Sequence, residues 1–163
     1  SLTSVLDRSS KPDPKVILLT PQGKRFDQDS ANLLSMDEEI ILVCGRYRGI
    51  DERFRKRYVT EELSIGDYVL SGGEPAAMVV VDVLARLIPG VLNDFESGIE
   101  DSFQGGTLDC PWYTRPREFE GIRVPDVLLG GDHEKIRQWR EKESLKRTRE
   151  RRPDLLENSN NQL

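Results

Sequence analysis

Ser64-Ile-Gly-Asp-Tyr-Val-Leu-Ser-Gly-Gly-Glu74 decides how the rest of the chain is read. Tyr68-Val-Leu70 is a short apolar run of β-formers, which the pattern predicts as a strand. It breaks into Ser71-Gly72-Gly73, and Ala76–Ile88 then runs almost wholly apolar, as a buried helix would. Strand, glycine turn and helix in this order make a place where a ligand can approach the backbone closely. A tight turn with no ligand has the same signature, so the neighbouring segments must decide.

Working outward, Val16-Ile-Leu-Leu19 and Ile40-Ile-Leu-Val-Cys44 are continuous apolar runs, expected as strands buried on both faces. The first breaks at Thr20-Pro21-Gln22-Gly23 and the second at Gly45. Asp27–Leu34 is a helix candidate with Leu33 and Leu34 as core residues. Phe54 and Arg57 fall in a helix-like turn, and Tyr58–Leu63 is a polar strand or sheet edge. Alternating strands and helices predict an α/β layer with a mostly parallel sheet. Three strands end in three glycine-bearing loops, and in open α/β sheets ligands sit beyond the carboxyl ends of the strands. Neither G-x-G-x-x-G nor G-x-x-x-x-G-K-[ST] occurs, so a dinucleotide fold and a P-loop are unsupported.

Pro89-Gly90 stops the long helix, and residues 93–104 read as a polar linker after a domain at 15–92. Residues 1–14 read as a tail, and 105–163 as a small, mainly helical domain. Within that domain Asp132 is a candidate N-cap for a helix over Lys135–Arg151, ended by Pro153. Lys135–Arg152 holds nine Lys or Arg against three Glu, in a chain of net charge −5. The asymmetry suggests a local basic surface on an acidic protein, open to a nucleic acid; an ion-paired, solvated helix is the alternative. Trp112, Tyr113 and Arg115 lie in a loop rich in groups that stack on bases or bind phosphate. Packing of a proline-rich loop would use the same residues.

Composition excludes several classes. At 36% hydrophobic and 33% charged residues the chain reads as a soluble globular protein. Its longest apolar run, Ala76–Ala85, is short for a membrane span and carries Asp82. Cys44, expected to be buried, and Cys110 make no disulfide framework, and one His with two Cys argues against structural zinc. The cytoplasm is the default compartment. The chain opens on Ser1, as a trimmed chain does, with no basic-then-apolar leader.

In order along the chain come Pro21-Gln-Gly23, Cys44-Gly-Arg-Tyr-Arg-Gly-Ile-Asp-Glu-Arg53, the Ser64–Glu74 stretch, Ile88-Pro-Gly-Val-Leu92, Glu100-Asp-Ser-Phe103, Leu108-Asp-Cys-Pro111, Tyr113-Thr-Arg-Pro116 and Arg151-Arg-Pro-Asp-Leu-Leu156. Together they closely resemble the bacterial tRNA (guanine-N1)-methyltransferase family, TrmD, over roughly residues 15–157. The resemblance implies a SPOUT-like α/β fold with a deep trefoil knot, which topology alone argues against. It also implies S-adenosyl-L-methionine as methyl donor, an obligate homodimer with sites shared between subunits, and magnesium support of the reaction. The implied product is guanine methylated at N1, at tRNA position 37 beside the anticodon. Cofactor positions of the family match Leu19, Thr20 and Pro21, then Gly45 and Tyr47, then Ile65, Gly66, Tyr68, Leu70, Gly72 and Gly73. Its catalytic base matches Asp101 and the assisting arginine Arg86. Asp109 is a candidate to hold Arg86 or shape the pocket; a simple turn role fits equally.

For RNA contact the reading adds Lys146, Arg147 and Arg149 to Trp112, Tyr113 and Arg115. Two positions depart from the family pattern: Arg48 stands where the family has Glu, and Pro75-Ala76 where it has a Leu-Pro pair. The Arg48 exchange inverts charge beside the cofactor's sulfonium, and no metal ligands can be assigned. The family's N-terminal half-domain and its last helix are expected to be missing. Two other readings stand beside this one: another knotted methyltransferase acting on a different RNA, and an RNA-binding module without catalysis.

Overall fold

A computed structural model describes residues 5, 8–9, 13–46, 49–91, 102–103 and 105–160, the last three for backbone only. Tyr47, Arg48, Asp101 and nearly all of the expected linker lie outside the described residues. The chain separates into two compact units, Ser1–Asn93 and Asp94–Leu163.

The first unit is an α/β layer. Its elements are β1 (Lys15–Arg25), α1 (Gln28–Leu34), β2 (Ile40–Cys44), α2 (Glu52–Tyr58), β3 (Glu61–Ser64) and α3 (Glu74–Leu87). The sheet order is β2-β1-β3, and both pairings are parallel. Because β1 lies in the middle, Val16, Ile17, Leu18 and Leu19 are all buried, which is why that run is apolar without alternation. Ile17, Leu19, Leu34, Leu63, Ala76 and Val80 form the core, with Phe26, Leu42, Ile65 and Leu84 packed against it. Ile17 is wholly buried on the central strand. Ile17→Ala is therefore expected to cost about 2–5 kcal/mol, measured by chemical denaturation.

Caps follow the residue chemistry. The Asp27 carboxylate accepts the Ser30 amide hydrogen at 2.8 Å to start α1, and Asp51 accepts from Arg53 N at 2.8 Å to start α2. Glu74 and Pro75 open α3, where a missing N–H costs nothing.

Five expectations are corrected. Thr20–Gly23 does not end β1; it is an irregularity inside it, since Leu19 and Lys24 both stand opposite Leu63. Gly23 permits this, because a Cβ there would lie 2.5 Å from the Glu62 carbonyl carbon. Tyr68–Leu70 is no strand. Gly66, at φ 151°, turns the chain out of β3, and the Ser64 hydroxyl donates back to the Gly66 carbonyl at 3.0 Å. Helix α3 is not buried on all sides: Ala76 and Val80 face the core, but Met78 is 73% exposed and Val79 and Val81 are open. Leu33 is 64% exposed, not core, and β2, as an edge strand, is only half-buried, Cys44 included.

The second unit holds a hairpin of β4 (Glu118–Phe119) and β5 (Ile122–Arg123), then α4 (Asp126–Leu129), α5 (His133–Arg151) and α6 (Asp154–Asn160). The hairpin was not anticipated. Its signal is Glu120-Gly121, the two turn residues, both at positive φ (50° and 80°), as a tight hairpin turn requires. Asp132 caps α5 by accepting the Lys135 amide at 3.2 Å.

Candidate cofactor and RNA sites

Beyond the carboxyl ends of β2 and β3, and beside the irregularity within β1, lies a cavity of about 630 Å³, within the usual range for ligand sites. Leu19, Thr20 and Pro21 line it from β1, Gly45 from the loop after β2, and Ile65, Gly66, Tyr68, Leu70, Gly72 and Gly73 from the loop after β3. Ten of the eleven expected cofactor positions thus share one cavity; the eleventh, Tyr47, is outside the described residues.

The loops after β2 and β3 are joined along a seam. Gly73 N–H donates to the Gly45 carbonyl at 2.9 Å, and Arg46 and Gly72 form an antiparallel bridge. Arg46 Nε donates to Glu74 Oε1 at 3.0 Å across the same seam, and this helps hold the Glu74 carboxyl below its usual range, after the hydrogen bond from its own amide. A Cβ on Gly73 would lie 2.7 Å from Cys44 Cα, so the seam closes only around glycine. Burial, then the Glu74 charge, pushes the Cys44 thiol up, so it is a poor nucleophile.

The mouth mixes apolar and polar groups. Tyr68 and Val69 stand open, Val69 at 87% exposure, and the Tyr68 hydroxyl donates to the Ile65 carbonyl at 3.2 Å. Arg55 is tied to Glu62 at 2.7 Å and donates to the Gln22 side chain at 3.2 Å. Its charge is thus matched, and the cavity presents mainly backbone groups and apolar side chains. The role of Arg46 and Arg55 in shaping these walls was not anticipated from the sequence; both lie in arginine-rich segments where charge alone gives no partner.

Arg86 is exposed in the last turn of α3 and does not line the cavity. Glu74 opens that helix twelve residues earlier, so about 18 Å of helix separates them.

In the second unit, residues 107–110 are laced to α5. Leu108 N–H donates to Thr148 Oγ1 at 2.8 Å, and Ser144 Oγ donates to the Leu108 carbonyl at 2.6 Å. Thr148 is fully buried at this junction. Asp109 is more than a turn residue: its carboxylate accepts from Cys110 N at 2.6 Å and from the Trp112 indole at 2.5 Å. The Arg147 side chain donates to the Asp109 carbonyl at 3.3 Å, so it serves this loop, while Lys146 and Arg149 are exposed. Tyr113 packs near Trp139, ring centres 6.3 Å apart. The first half of α5 is ion-paired, with Arg137 between Glu134 and Glu141 at 2.7 and 2.6 Å. Among the described residues, Lys142, Lys146, Arg149 and Arg151 make no ion pair, so the cationic excess sits in the second half.

The chain combines an open α/β sheet bearing a ligand-sized cavity with a second unit built around a cation-rich helix. The model of the family described as tRNA (Guanine-1)-methyltransferase TrmD matches residues 1–158. A tRNA (guanine-N(1)-)-methyltransferase of Listeria innocua serovar 6a is 52% identical over 158 residues, 97% of this chain and 64% of that protein. One of Bacillus cereus strain AH820 is 55% identical over 152 residues, 93% of this chain and 62% of that protein. The chain belongs to the TrmD family. It spans just under two thirds of the length of these relatives. Among the described residues, no helix is long and apolar enough to cross a membrane.

Proposed function

We propose that this chain carries the S-adenosyl-L-methionine site and an RNA-binding unit of an enzyme that methylates guanine N1 at tRNA position 37. The observation that carries this is the convergence of the irregularity within β1 and the loops after β2 and β3 on one cavity of a parallel sheet in a TrmD-family chain.

The residues present fit the cofactor. Backbone amides and carbonyls of the glycine-bearing loops suit the hydrogen-bonding edge of adenine and the amino-acid end. Ile65, Val69 and Leu70 offer apolar cover for the purine. S-adenosyl-L-methionine bound there supplies an electrophilic methyl group. The protein's task is to prepare guanine. N1 is a poor nucleophile while it holds its proton, and the Asp101 carboxylate takes that proton. Negative charge grows on O6, and the Arg86 guanidinium stabilises it. Magnesium has no assigned place: among the described residues no group of three or more His, Cys, Asp or Glu could hold a metal, and no step is derived through one.

The active form is a homodimer with shared sites. Two features support this. Arg86 lies away from its own chain's cavity, and α1 and α3 pack together yet leave Leu33, Met78, Val79 and Val81 open to solvent, as is Met36 just after α1. The trefoil knot and the cytoplasmic location belong to the same reading, as does the division into a knotted domain at 15–92, a linker at 93–104 and a tRNA-binding domain at 105–163.

The test is calorimetry of this chain with S-adenosyl-L-methionine, then methyl transfer by the full-length protein bearing these residues. Saturable binding and methylation of transcripts with guanine at position 37, but not those without it, is the expected result. Retained tRNA binding with no cofactor binding would instead favour an RNA-binding module. For the helix, Lys146→Gln with Arg149→Gln should weaken tRNA affinity. It should also reduce the slope of log K against log salt by about 0.7–0.9 per lost phosphate contact. An unchanged slope would show that α5 is merely solvated.

A further inference from the structure

We propose that the cleft beside Trp112 in the second unit is a subsite for one unstacked nucleotide of the RNA substrate, held by its base. The proposal rests on the reading of the chain as a tRNA enzyme and adds which surface reads a base and which tracks the backbone.

The cleft has a volume of about 390 Å³, at the small end for ligand sites, so it admits one residue of a strand and not a duplex. Its walls differ in chemistry. Trp112 and Tyr113 supply aromatic faces; Val124, Leu128 and Ile136 supply apolar surface; Arg115 and Arg117 supply cations. That is the complement of a nucleotide: a flat apolar base attached to a negative phosphate.

Trp112 is 61% exposed, an unusual place for a tryptophan in a folded loop. It is nevertheless held in place. Its indole N–H is fixed by Asp109 and the Arg140 guanidinium lies over its ring, 4.6 Å from the centre. Asp109 in turn is fixed by Ser102 Oγ on its amide at 2.9 Å and by Arg147 on its carbonyl. A loop that merely packed would bury this ring; here four groups hold it rigid while leaving it wet. A preorganised aromatic face loses little freedom when a base stacks on it. Single-stranded loops of RNA offer such bases, whereas paired stems do not. Asp109 is therefore a positioning residue acting through Trp112.

The experiment uses the full-length protein and tRNA transcripts carrying a single abasic site, moved one position at a time through the anticodon loop. Trp112→Leu keeps apolar bulk and removes the stacking face; Trp112→Phe keeps a face. The expected result is a roughly 5- to 150-fold loss of tRNA affinity in Trp112→Leu, largely recovered in Trp112→Phe. One abasic position should reproduce that loss in the parent, and on that RNA Trp112→Leu should cost nothing more. Asp109→Asn should fall between, with S-adenosyl-L-methionine affinity unchanged. Equal losses for Trp112→Leu on every abasic transcript would overturn the subsite while leaving the tRNA reading intact. Absence of tRNA binding by the parent would overturn both.

Discussion

Asp101→Asn in the full-length protein is expected to lose about 10²- to 10⁴-fold in kcat, with cofactor and tRNA affinities almost unchanged. Asparagine keeps the size and much of the hydrogen bonding of aspartate but cannot take the N1 proton. The defect then falls on the transition state alone, so kcat and kcat/KM drop together. Asp101 belongs to the polar stretch 93–104 that the sequence reads as a linker. A base carried on such a connection can be placed after both substrates bind. Arg86→Ala should act similarly through the O6 charge. Mixing the two variants tests the shared site. If each site takes Asp101 from one subunit and Arg86 from the other, a mixed dimer keeps one intact site. Random exchange then restores about a quarter of parental activity. Normal turnover in Asp101→Asn would remove the base assignment. An inactive mixture, with exchange demonstrated, would remove the shared site.

The sheet and its cavity were legible because strands leave a plain trace: Val16–Leu19 and Ile40–Cys44 are unbroken apolar runs, each followed by a glycine-bearing stretch, although only the central β1 run is fully buried. What misled was the assumption that apolar means buried. Tyr68–Leu70 and the Met78-Val79-Val81 face of α3 are apolar yet exposed in this chain. Pattern reading cannot tell such residues from core, since residue type alone does not report burial. The Glu118–Arg123 hairpin escaped because two-residue strands are too short to show a period. Asp109 was singled out but its partner was not, and Arg140 escaped altogether: both contact Trp112, which follows from loop conformation and not from spacing on one element. The basic character of α5 was plain in the sequence. Which of its cations are ion-paired depends on rotamers as well as on i,i+4 spacing.

Gly73→Ala should weaken S-adenosyl-L-methionine binding roughly 5- to 150-fold, because distorting a packed seam costs about 1–3 kcal/mol and the cavity wall is that seam. The added Cβ meets Cys44 Cα at 2.7 Å and Gly45 N at 3.1 Å. Those are backbone atoms, so relief requires the loops after β2 and β3 to part. The Gly73-to-Gly45 hydrogen bond would stretch with them. Gly72 is the control. A Cβ there runs into the Glu74 carboxylate, the far end of a flexible side chain, and touches Arg46 Cγ only at 3.5 Å. Glu74 can swing away, at the expense of an exposed ion pair that contributes little. Gly72→Ala should therefore lose much less than Gly73→Ala, although both glycines line the cavity. Gly72→Val adds branches that must also clear Arg46, and should lie between them. Titration calorimetry of the three variants ranks them, and far-ultraviolet circular dichroism checks that each remains folded. If Gly72→Ala lost as much as Gly73→Ala, both positions would act through direct ligand contact, and the seam would not be what shapes the site. If Gly73→Ala bound normally, the loop after β3 would not belong to the cofactor site.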